Sequence, residues 1–322
     1  MKRRLVVLAL ALAIAAGAVV RADAQSGYPD RPIRIVVPFA PGGTADIIAR
    51  IAADQVTADL GWRVYVENIT GAGGSVGAAA AARAAADGHT ALLCNVSCAA
   101  NQFLLGHTGF DPDADVAPVI VLGYVPNILV AGPGVSATTL SQLVAFARAH
   151  PGQVSMASSG PGSSSHLSAM LLRVKAQIDI VDVPYRGSSA AMADILAGRV
   201  DAMVMGLPES LPFVRDGRLK ALAVTPDKRA TALPNVPTFA QAGVPGYSFL
   251  GWLSLFVPQQ TPAIVSEKLN AAFGKSLQSP ALLARFAEQS IEPVGGAAEL
   301  AARLLKSDIV LWRQIFESKP RD

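Results

Sequence analysis

A buried strand, a tight turn and the start of a helix are predicted within residues 33–50, and this segment constrains the fold more than any other part of the chain. It begins with an apolar, largely β-branched run and passes through Pro41-Gly42-Gly43 into a helical pattern. A helix N-terminus can bind anions, because its first N–H groups lack intrahelical partners and the helix dipole adds positive charge. Gly42 and Gly43 would let a ligand approach the backbone. An ordinary strand-to-helix connection is the alternative, and the residues alone leave both open.

The same order recurs along the chain, where apolar runs alternate with helical patterns as they do in parallel α/β sheets. One series precedes an interrupted run at residues 119–131, a second follows it, and a later strand is predicted near residues 251–257. We expect the chain to cross between two α/β domains at these two strands. The predicted first domain consists of residues 25–125 and 252–322, and the second of residues 126–251. Ligands of open α/β sheets bind beyond the carboxyl ends of the strands, so a cleft is expected between the two lobes.

A second turn of the same kind lies at residues 158–166, after another predicted strand. Ser158 and Ser163 add hydroxyl donors and N-cap capacity to this loop, which also contains Gly162. Each lobe therefore has one possible anion site. His166 beside the serines suggests a Ser/His pair for acyl transfer, but the nucleophile-elbow spacing G-x-S-x-G is absent. We interpret His166 as a residue that anchors the helix or lines a cleft.

Three further side chains are candidates for ligand contacts, each with a structural alternative. Tyr185 and Arg186 lie where a strand ends and a helix begins. The tyrosine ring could form a pocket wall and the guanidinium could pair with a carboxylate, unless they are a packed tyrosine and a surface arginine. Asp46 falls in a first helical turn, where it either stabilises the helix through its dipole or receives a ligand ammonium group.

Residues 1–24 have the three parts of a secretory signal: basic residues, an apolar run and Ala22-Asp23-Ala24 as a cleavage site. We expect cleavage near Ala24-Gln25 and export to the periplasm, with no membrane insertion of the mature chain. The whole chain has 27 basic and 24 acidic residues, and the signal holds four basic residues and one acidic residue. The mature chain, with 23 of each, is neutral, which removes support for nucleic-acid binding.

No cofactor or metal is predicted. The glycines of residues 71–77 do not complete a dinucleotide fingerprint, and the histidines form no metal-hydrolase motif. The two cysteines, Cys94 and Cys98, have no histidine nearby for a zinc site. Export permits a disulfide between them, but four residues apart at a strand-to-helix turn is a demanding geometry, so we favour two buried thiols.

Short segments in a characteristic order cover the chain after the leader. They are Tyr28-Pro29, Arg31-Pro32-Ile33, Pro38-Phe39-Ala40-Pro41-Gly42-Gly43 with Asp46 and Arg50, Glu67-Asn68, Gly71-Ala72-Gly73-Gly74, Asp87-Gly88-His89-Thr90, Gly160 with Gly162-Ser163 and His166-Leu167, Val183-Pro184-Tyr185-Arg186-Gly187, Gly198-Arg199-Val200-Asp201, Leu233-Pro234-Asn235-Val236-Pro237-Thr238, and Pro258 with Thr261-Pro262. In number and order these segments resemble the extracytoplasmic solute receptors of tripartite tricarboxylate transporters, the Bug-type receptors.

The resemblance implies a two-lobed periplasmic binding protein of the type II-like, Venus flytrap architecture. In such receptors the two Pro/Gly-rich loops hold a ligand carboxylate, largely with backbone donors and ordered water. By position, the predicted ligand contacts are Phe39, Ala40, Gly42, Gly43, Thr44, Asp46, Asn95, Ser97, Asn101, Ser158, Gly162, Ser163, His166, Tyr185, Arg186 and Gly206. Gln102 replaces the proline of the family's Asn-Pro pair. Because this region faces the distal end of the ligand in similar proteins, the departure leaves ligand identity open.

The function we predict from the sequence is therefore capture without catalysis. A monomeric receptor would bind a small carboxylate, such as a di- or tricarboxylate, an acidic amino acid or an aromatic acid, and deliver it to the permease subunits of a tripartite tricarboxylate transporter. A periplasmic sensor subunit that hands the same ligands to a signalling partner is one alternative. An enzyme that acts on a carboxylate through Ser163 and His166 is the other.

Overall fold

The computed structural model describes residues 27–106, 108–225, 227–247, 249 and 251–317. The predicted signal segment, residues 1–24, lies outside the described residues. The strands are β1 (Ile33–Val37), β2 (Val64–Asn68), β3 (Thr90–Cys94), β4 (Val116–Val125), β5 (Asn127–Ala131), β6 (Val154–Ser158), β7 (Ile180–Pro184), β8 (Ala202–Gly206), β9 (Lys220–Val224), β10 (Gly251–Pro258) and β11 (Glu292–Gly295). The helices are α1 (Thr44–Leu60), α2 (Ser75–Ala82), α3 (Val96–Leu104), α4 (Leu140–Ala149), α5 (Ser164–Ala176), α6 (Ser188–Leu196), α7 (Leu207–Arg215), α8 (Ala263–Ser276), α9 (Pro280–Glu288) and α10 (Ala298–Glu317), with a short 3-10 helix at Ala72–Gly74.

The strands form two mixed sheets. The first has the order β11-β4-β10-β3-β1-β2, and the second the order β7-β6-β8-β5-β9. β1 is parallel to β2 and β3, and β6 is parallel to β7 and β8, as the alternation of strands and helices predicts. β10 and β5 run antiparallel to their neighbours. The two sheets and their covering helices confirm the predicted α/β class.

The chain passes from the first sheet to the second at Pro126 and returns through β10. Proline cannot donate to a strand ladder, and here it separates β4 from β5. The two crossing segments meet closely, since a Cβ built on Gly251 would lie 2.3 Å from the carbonyl oxygen of Val125. The chain thus leaves the first sheet after β4 and re-enters it at β10, and no described strand belongs to both sheets.

The predicted domain boundaries stay a prediction, because the C-terminal helix contacts both halves of the molecule. Ala301 and Leu305 of α10 pack in a cluster with residues of the first sheet, such as Leu92. Trp312, two turns further along α10, is 1% exposed and packs with Leu167 and other residues of the second sheet's helices. One helix therefore bridges the two halves.

The expectation of two free thiols is wrong: Cys94 and Cys98 form a disulfide. Cys94 ends β3 and Cys98 lies in the first turn of α3, so their Cα atoms are 5.9 Å apart, within the range that a disulfide spans. The strand-to-helix turn that the bridge closes contains Asn95, whose side chain caps α3 by accepting the N–H of Ser97 at 2.9 Å.

Candidate functional site

A cavity of about 560 Å³ lies between the two halves of the molecule. Both predicted turns border it, as do residues of the 3-10 helix, of β8 and of the crossing segments. Nine of the predicted contact residues line this cavity: Phe39, Ala40, Gly43, Thr44, Asn95, Ser163, Tyr185, Arg186 and Gly206. Tertiary folding thus brings together segments that are more than 160 residues apart in the sequence.

The remaining predicted contact residues are not among those that line the cavity: Gly42, Asp46, Ser97, Asn101, Ser158, Gly162 and His166. Ser97 and Asn101 border a separate small void of about 10 Å³. Asn101 donates to the carbonyl oxygen of Gly73 at 3.0 Å and to Ser75 Oγ at 3.1 Å, so it fastens α3 to the 3-10 helix. Whether these residues contact a ligand stays a prediction.

The turn at residues 38–46, here called the first turn, is held by the buried carboxylate of Asp46. Its Oδ2 accepts the N–H of Gly42 at 2.9 Å, and its two oxygens accept from Arg50 at 2.8 and 3.0 Å. Asn68 donates both to Asp46 Oδ1 and to the carbonyl oxygen of Phe39, each at 2.9 Å. Burial by itself would raise the pKa of Asp46, but hydrogen bonds from Arg50, Gly42 and Asn68 bring it below its ordinary value.

The turn at residues 158–166, here called the second turn, is held by serine hydroxyls, backbone groups and an imidazole. Ser163 caps α5, because its Oγ accepts the backbone N–H of His166 at 3.3 Å. Ser165 Oγ lies 3.0 Å from Ser163 Oγ and accepts the N–H of Ser159 at 2.9 Å. Nδ1 of His166 accepts the N–H of Gly162 at 3.2 Å. These contacts give Ser163 and His166 a structural function in the turn.

The two halves of the molecule touch beside the cavity, and this arrangement is here called the closed form. A Cβ built on Gly206 would lie 1.9 Å from Thr44 Oγ1 and 2.8 Å from Thr44 Cβ, across the gap between α7 and α1. A Cβ on Gly73 would lie 2.4 Å from the carbonyl oxygen of Pro161. These glycines permit a close approach of the two halves that any larger residue would prevent.

Glu209 is a cavity residue that the sequence analysis missed. It lies at the third position of α7 and is partly buried. Its Oε1 accepts the N–H of Gly206 at 3.3 Å, and its Oε2 accepts the hydroxyl of Ser188 at 2.6 Å. Burial raises the pKa of Glu209 to about 6, although hydrogen bonds from Ser188, Gly206 and Thr44 act in the opposite direction. The helix-start pattern Gly206-Leu207-Pro208-Glu209 could have revealed both α7 and this carboxylate.

Asn127 is a second missed cavity residue. It is the first residue of β5, is 7% exposed, and donates its backbone N–H to Thr225 Oγ1 at 2.9 Å. Within the part of the chain that the structure describes, its side-chain Nδ2 has no hydrogen-bond partner. A buried amide without a partner costs free energy, so Asn127 is well placed for a ligand acceptor.

Tyr185 and Arg186 both border the cavity, but Tyr185 is fixed by a hydrogen bond whereas Arg186 is exposed. The hydroxyl of Tyr185 donates to Asp194 at 2.8 Å, which holds its ring against the second sheet. Arg186 is exposed. Among the described residues that line the cavity, the charged side chains are those of Arg186 and Glu209, so the lining is formally neutral.

Within the described ranges, no cluster of three or more histidine, cysteine, aspartate or glutamate side chains is arranged to hold a metal ion. No helix in that part of the chain combines the length and apolar character that crossing a membrane requires.

The comparisons with known proteins agree with one another. A family model described as the tripartite tricarboxylate transporter family receptor matches residues 48–320. The chain is 38% identical to a protein of Pseudomonas sp. (strain P51) named for the tcbD-tcbE intergenic region, over 97% of this chain and 93% of that protein. It is 36% identical to BugT of Bordetella pertussis, over 97% of this chain and 96% of BugT.

Solved structures of similar proteins share the whole architecture. The periplasmic binding protein BugD matches with a TM-score of 0.86 and 30% identity, over 90% of this chain and 98% of BugD. MatC from Rhodopseudomonas palustris with bound malate matches with a TM-score of 0.85 and 31% identity, over 90% of this chain and all of that one. An R. palustris protein with adipate matches with a TM-score of 0.86 and 33% identity, over 90% of this chain and 97% of that one. The predicted two-lobed periplasmic binding protein fold is confirmed.

Proposed function

This chain belongs to the tripartite tricarboxylate transporter receptor family, and we propose that it captures a small carboxylate in its interlobe cavity and delivers it to the membrane subunits of such a transporter. The family consists of periplasmic solute-binding receptors, which are not enzymes. Our proposal for this chain is that it captures and delivers one particular solute.

The observation that carries the proposal is the convergence of two helix N-termini on one closed cavity. Gly43 and Thr44 at the start of α1, and Ser163 and Ser164 at the start of α5, all border it. First-turn N–H groups and the helix dipole favour a carboxylate there, without a buried lysine or arginine that would lose its partner whenever the cleft is empty. Arg186 at the edge adds a guanidinium suited to a carboxylate.

The ligand classes that we propose are di- and tricarboxylates, acidic amino acids and aromatic acids. Adipate and malate are the acids with which two similar proteins were solved. The neutral lining of this cavity, with Asn127 as a buried donor, is compatible with acids of this size. The proposed contacts are the nine predicted residues that line the cavity, together with Asn127.

The mechanism that we propose is binding coupled to closure. An acid that contacts both turns binds the closed form better than the open form, so it shifts the population toward the closed form. Gly206 approaches Thr44 closely in the closed form, and we propose that opening separates them, which makes this contact a test of closure. We further propose that residues 1–24 direct export, that the mature receptor acts as a monomer in the periplasm, and that the domain boundaries are those expected from the sequence.

A thermal-shift panel tests the function. The mature chain is melted with mono-, di- and tricarboxylates, amino acids and aromatic acids, each at a saturating concentration. We expect at least one acid to raise the melting temperature, because a ligand selective for the folded state stabilises it by mass action. Isothermal calorimetry then gives the affinity. Silence from every acid in both measurements would contradict the proposed function.

A further inference from the structure

One acidic side chain, that of Glu209, borders the cavity among the residues that the structure describes. A glutamate carboxylate is unexpected in a cleft that captures ligand carboxylates, because like charges repel strongly where water is excluded. A capping box accounts for part of it, since a glutamate at the third position of a helix accepts the N-cap N–H, here that of Gly206. The contacts of Glu209 outside α7 remain to be explained.

Those contacts place the carboxylate at the junction of the two halves. Ser188 at the start of α6 donates to it at 2.6 Å. A Cβ built on Gly43, the N-cap of α1, would lie 3.5 Å from Glu209 Oε2, and the nearby backbone N–H of Thr44 acts to lower the pKa of Glu209. Glu209 therefore lies against the N-terminus of α1, where the sequence alone suggests a ligand carboxylate.

The carboxylate keeps capacity for another donor. An ionised carboxylate is an acceptor only, and its two oxygens accept about four hydrogen bonds. Among the described residues, Gly206 and Ser188 donate the hydrogen bonds that the Glu209 carboxylate accepts with good geometry, Thr44 Oγ1 has no hydrogen-bond partner, and the Glu209 side chain is only partly buried. A ligand hydroxyl or ammonium group in the cavity could donate to it, whereas a second ionised carboxylate in the same place would be repelled.

We infer that Glu209 is a specificity-determining residue, which makes this cleft select acids that carry a hydroxyl or ammonium donor beside the carboxylate over equally sized acids that lack one. This inference rests on the proposed function. The ligand carboxylate is assigned to the N-terminus of α5 and to Arg186, and the donor to Glu209. A site with an acceptor position discriminates against an analogue that lacks the donor, because that position loses its water to the ligand without gaining a hydrogen bond.

The experiment uses matched acids that differ in one substituent. The four-carbon set is succinate, malate and aspartate, the five-carbon set is glutarate, 2-hydroxyglutarate and glutamate, and the aromatic set is phenylacetate, mandelate and phenylglycine. Affinities are measured by calorimetry at pH 7.5 for the wild type, for Glu209→Gln and for Glu299→Gln. Glutamine keeps the capping box, so α7 is preserved. Glu299 is an exposed acid in the first turn of α10 and controls for the loss of one charge.

In the set that binds, we expect the wild type and Glu299→Gln to prefer a donor-bearing acid by about tenfold or more, and Glu209→Gln to reduce that preference to about threefold or less. An unchanged preference in Glu209→Gln would overturn the inference. Tight binding without any preference in the wild type would overturn it as well, while leaving the proposed function intact. Failure of all nine acids to bind any of the three proteins, together with silence from the tricarboxylates of the thermal-shift panel, would instead contradict the proposed function, and the inference with it.

Discussion

The first turn, before α1, and the second turn, before α5, look alike in sequence but balance their charges differently. Both join a buried strand to a helix through proline and glycine. The N-terminus of α1 has two carboxylates beside it, Asp46 in its first turn and Glu209 from the opposite half. The first turn of α5 has no acidic residue and is capped by Ser163. Asp46 is paired with Arg50, so the uncompensated negative charge at the positive end of α1 is that of Glu209, and a ligand carboxylate therefore gains more free energy at α5.

The same difference predicts that the first turn is rigid and that the second turn adapts to the ligand. The first turn is tied by an ion pair and by the amide of Asn68, which makes it a preorganised wall. The second turn is tied by hydroxyl groups, which can accept or donate and so adapt to a ligand. We therefore expect substitutions in the first turn to alter mainly stability, and substitutions in the second turn to alter mainly affinity.

The largest effect is expected where the first turn meets the opposite half. Gly206→Ala introduces a methyl group 1.9 Å from Thr44 Oγ1 in the closed form, although its backbone φ of −64° suits alanine. The variant should fold but not close, and affinity should fall by about a hundredfold or more. Calorimetry measures the affinity, and small-angle scattering of the ligand-saturated protein measures closure.

Gly134→Ala is the matched control for this variant, since Gly134 is exposed and a Cβ there meets nothing within 4 Å. Its affinity should equal that of the wild type. Wild-type affinity in Gly206→Ala would show that the first turn need not approach α7, and the comparison of the two turns would lose its basis.

Asp46→Ala tests the rigid turn. It leaves Arg50, Asn68 and the N–H of Gly42 without their common acceptor, so we expect the free energy of unfolding to fall by about 2–3 kcal/mol. The pKa of Asp46 is lowered in the folded state, so its stabilisation is complete above its ordinary pKa of 3.8 and is lost as pH falls through the folded value. Urea titrations between pH 3 and pH 7 measure this. An equal loss of stability at pH 3 and pH 7 would contradict the assignment.

The raised pKa of Glu209 predicts a pH dependence of binding. Closure buries this carboxyl, so the closed form holds its proton more tightly than the open form does, and closure becomes more favourable as pH falls. For an acid that has no donor group and stays ionised, affinity should rise by about 15-fold between pH 7 and pH 4.5, since burial moves the pKa from 4.5 to about 6. The groups that contact Glu209 are uncharged, so the effect belongs to this carboxyl.

Calorimetry across this pH range measures the effect, with Glu209→Gln as the variant in which the dependence should vanish. If Glu209→Gln keeps the same pH profile as the wild type, another group causes the pH dependence. The charge of Glu209 would then not distinguish the N-terminus of α1 from that of α5.

The smallest effect on stability is expected in the second turn. Ser163→Ala removes the cap of α5 and should lower the free energy of unfolding by about 1 kcal/mol, together with a loss of affinity of about fivefold or more. Thr139→Ala is the control, because Thr139 caps α4 through the N–H of Gln142 and does not border the cavity. It should lose similar stability and keep its affinity. Equal affinities in both variants would mean that the second turn is only structural.

Much of this molecule was predictable because its information is local. The alternation of strands and helices predicted the α/β class, the ordered motifs predicted the family that the comparisons confirm, and proline and glycine located both turns. The missed α7 illustrates the limit, since the proline at its second position looks like a turn until the glutamate that follows is considered as a capping residue. The disulfide was misjudged because Cα separation at a strand-to-helix turn depends on where the helix begins, here at Val96.

The sequence by itself determined which segments have helix N-termini able to meet an anion, because dihedral preferences and unpaired N–H groups are properties of a few consecutive residues. Only the tertiary structure decided which of those N-termini is already neutralised. Glu209 lies 163 residues after Asp46 in the chain, and no local rule places two carboxylates at one helix end. Packing of the two halves against each other brings Glu209 to the helix end that already holds Asp46, and its effect there depends on distance in space and on the water that packing excludes.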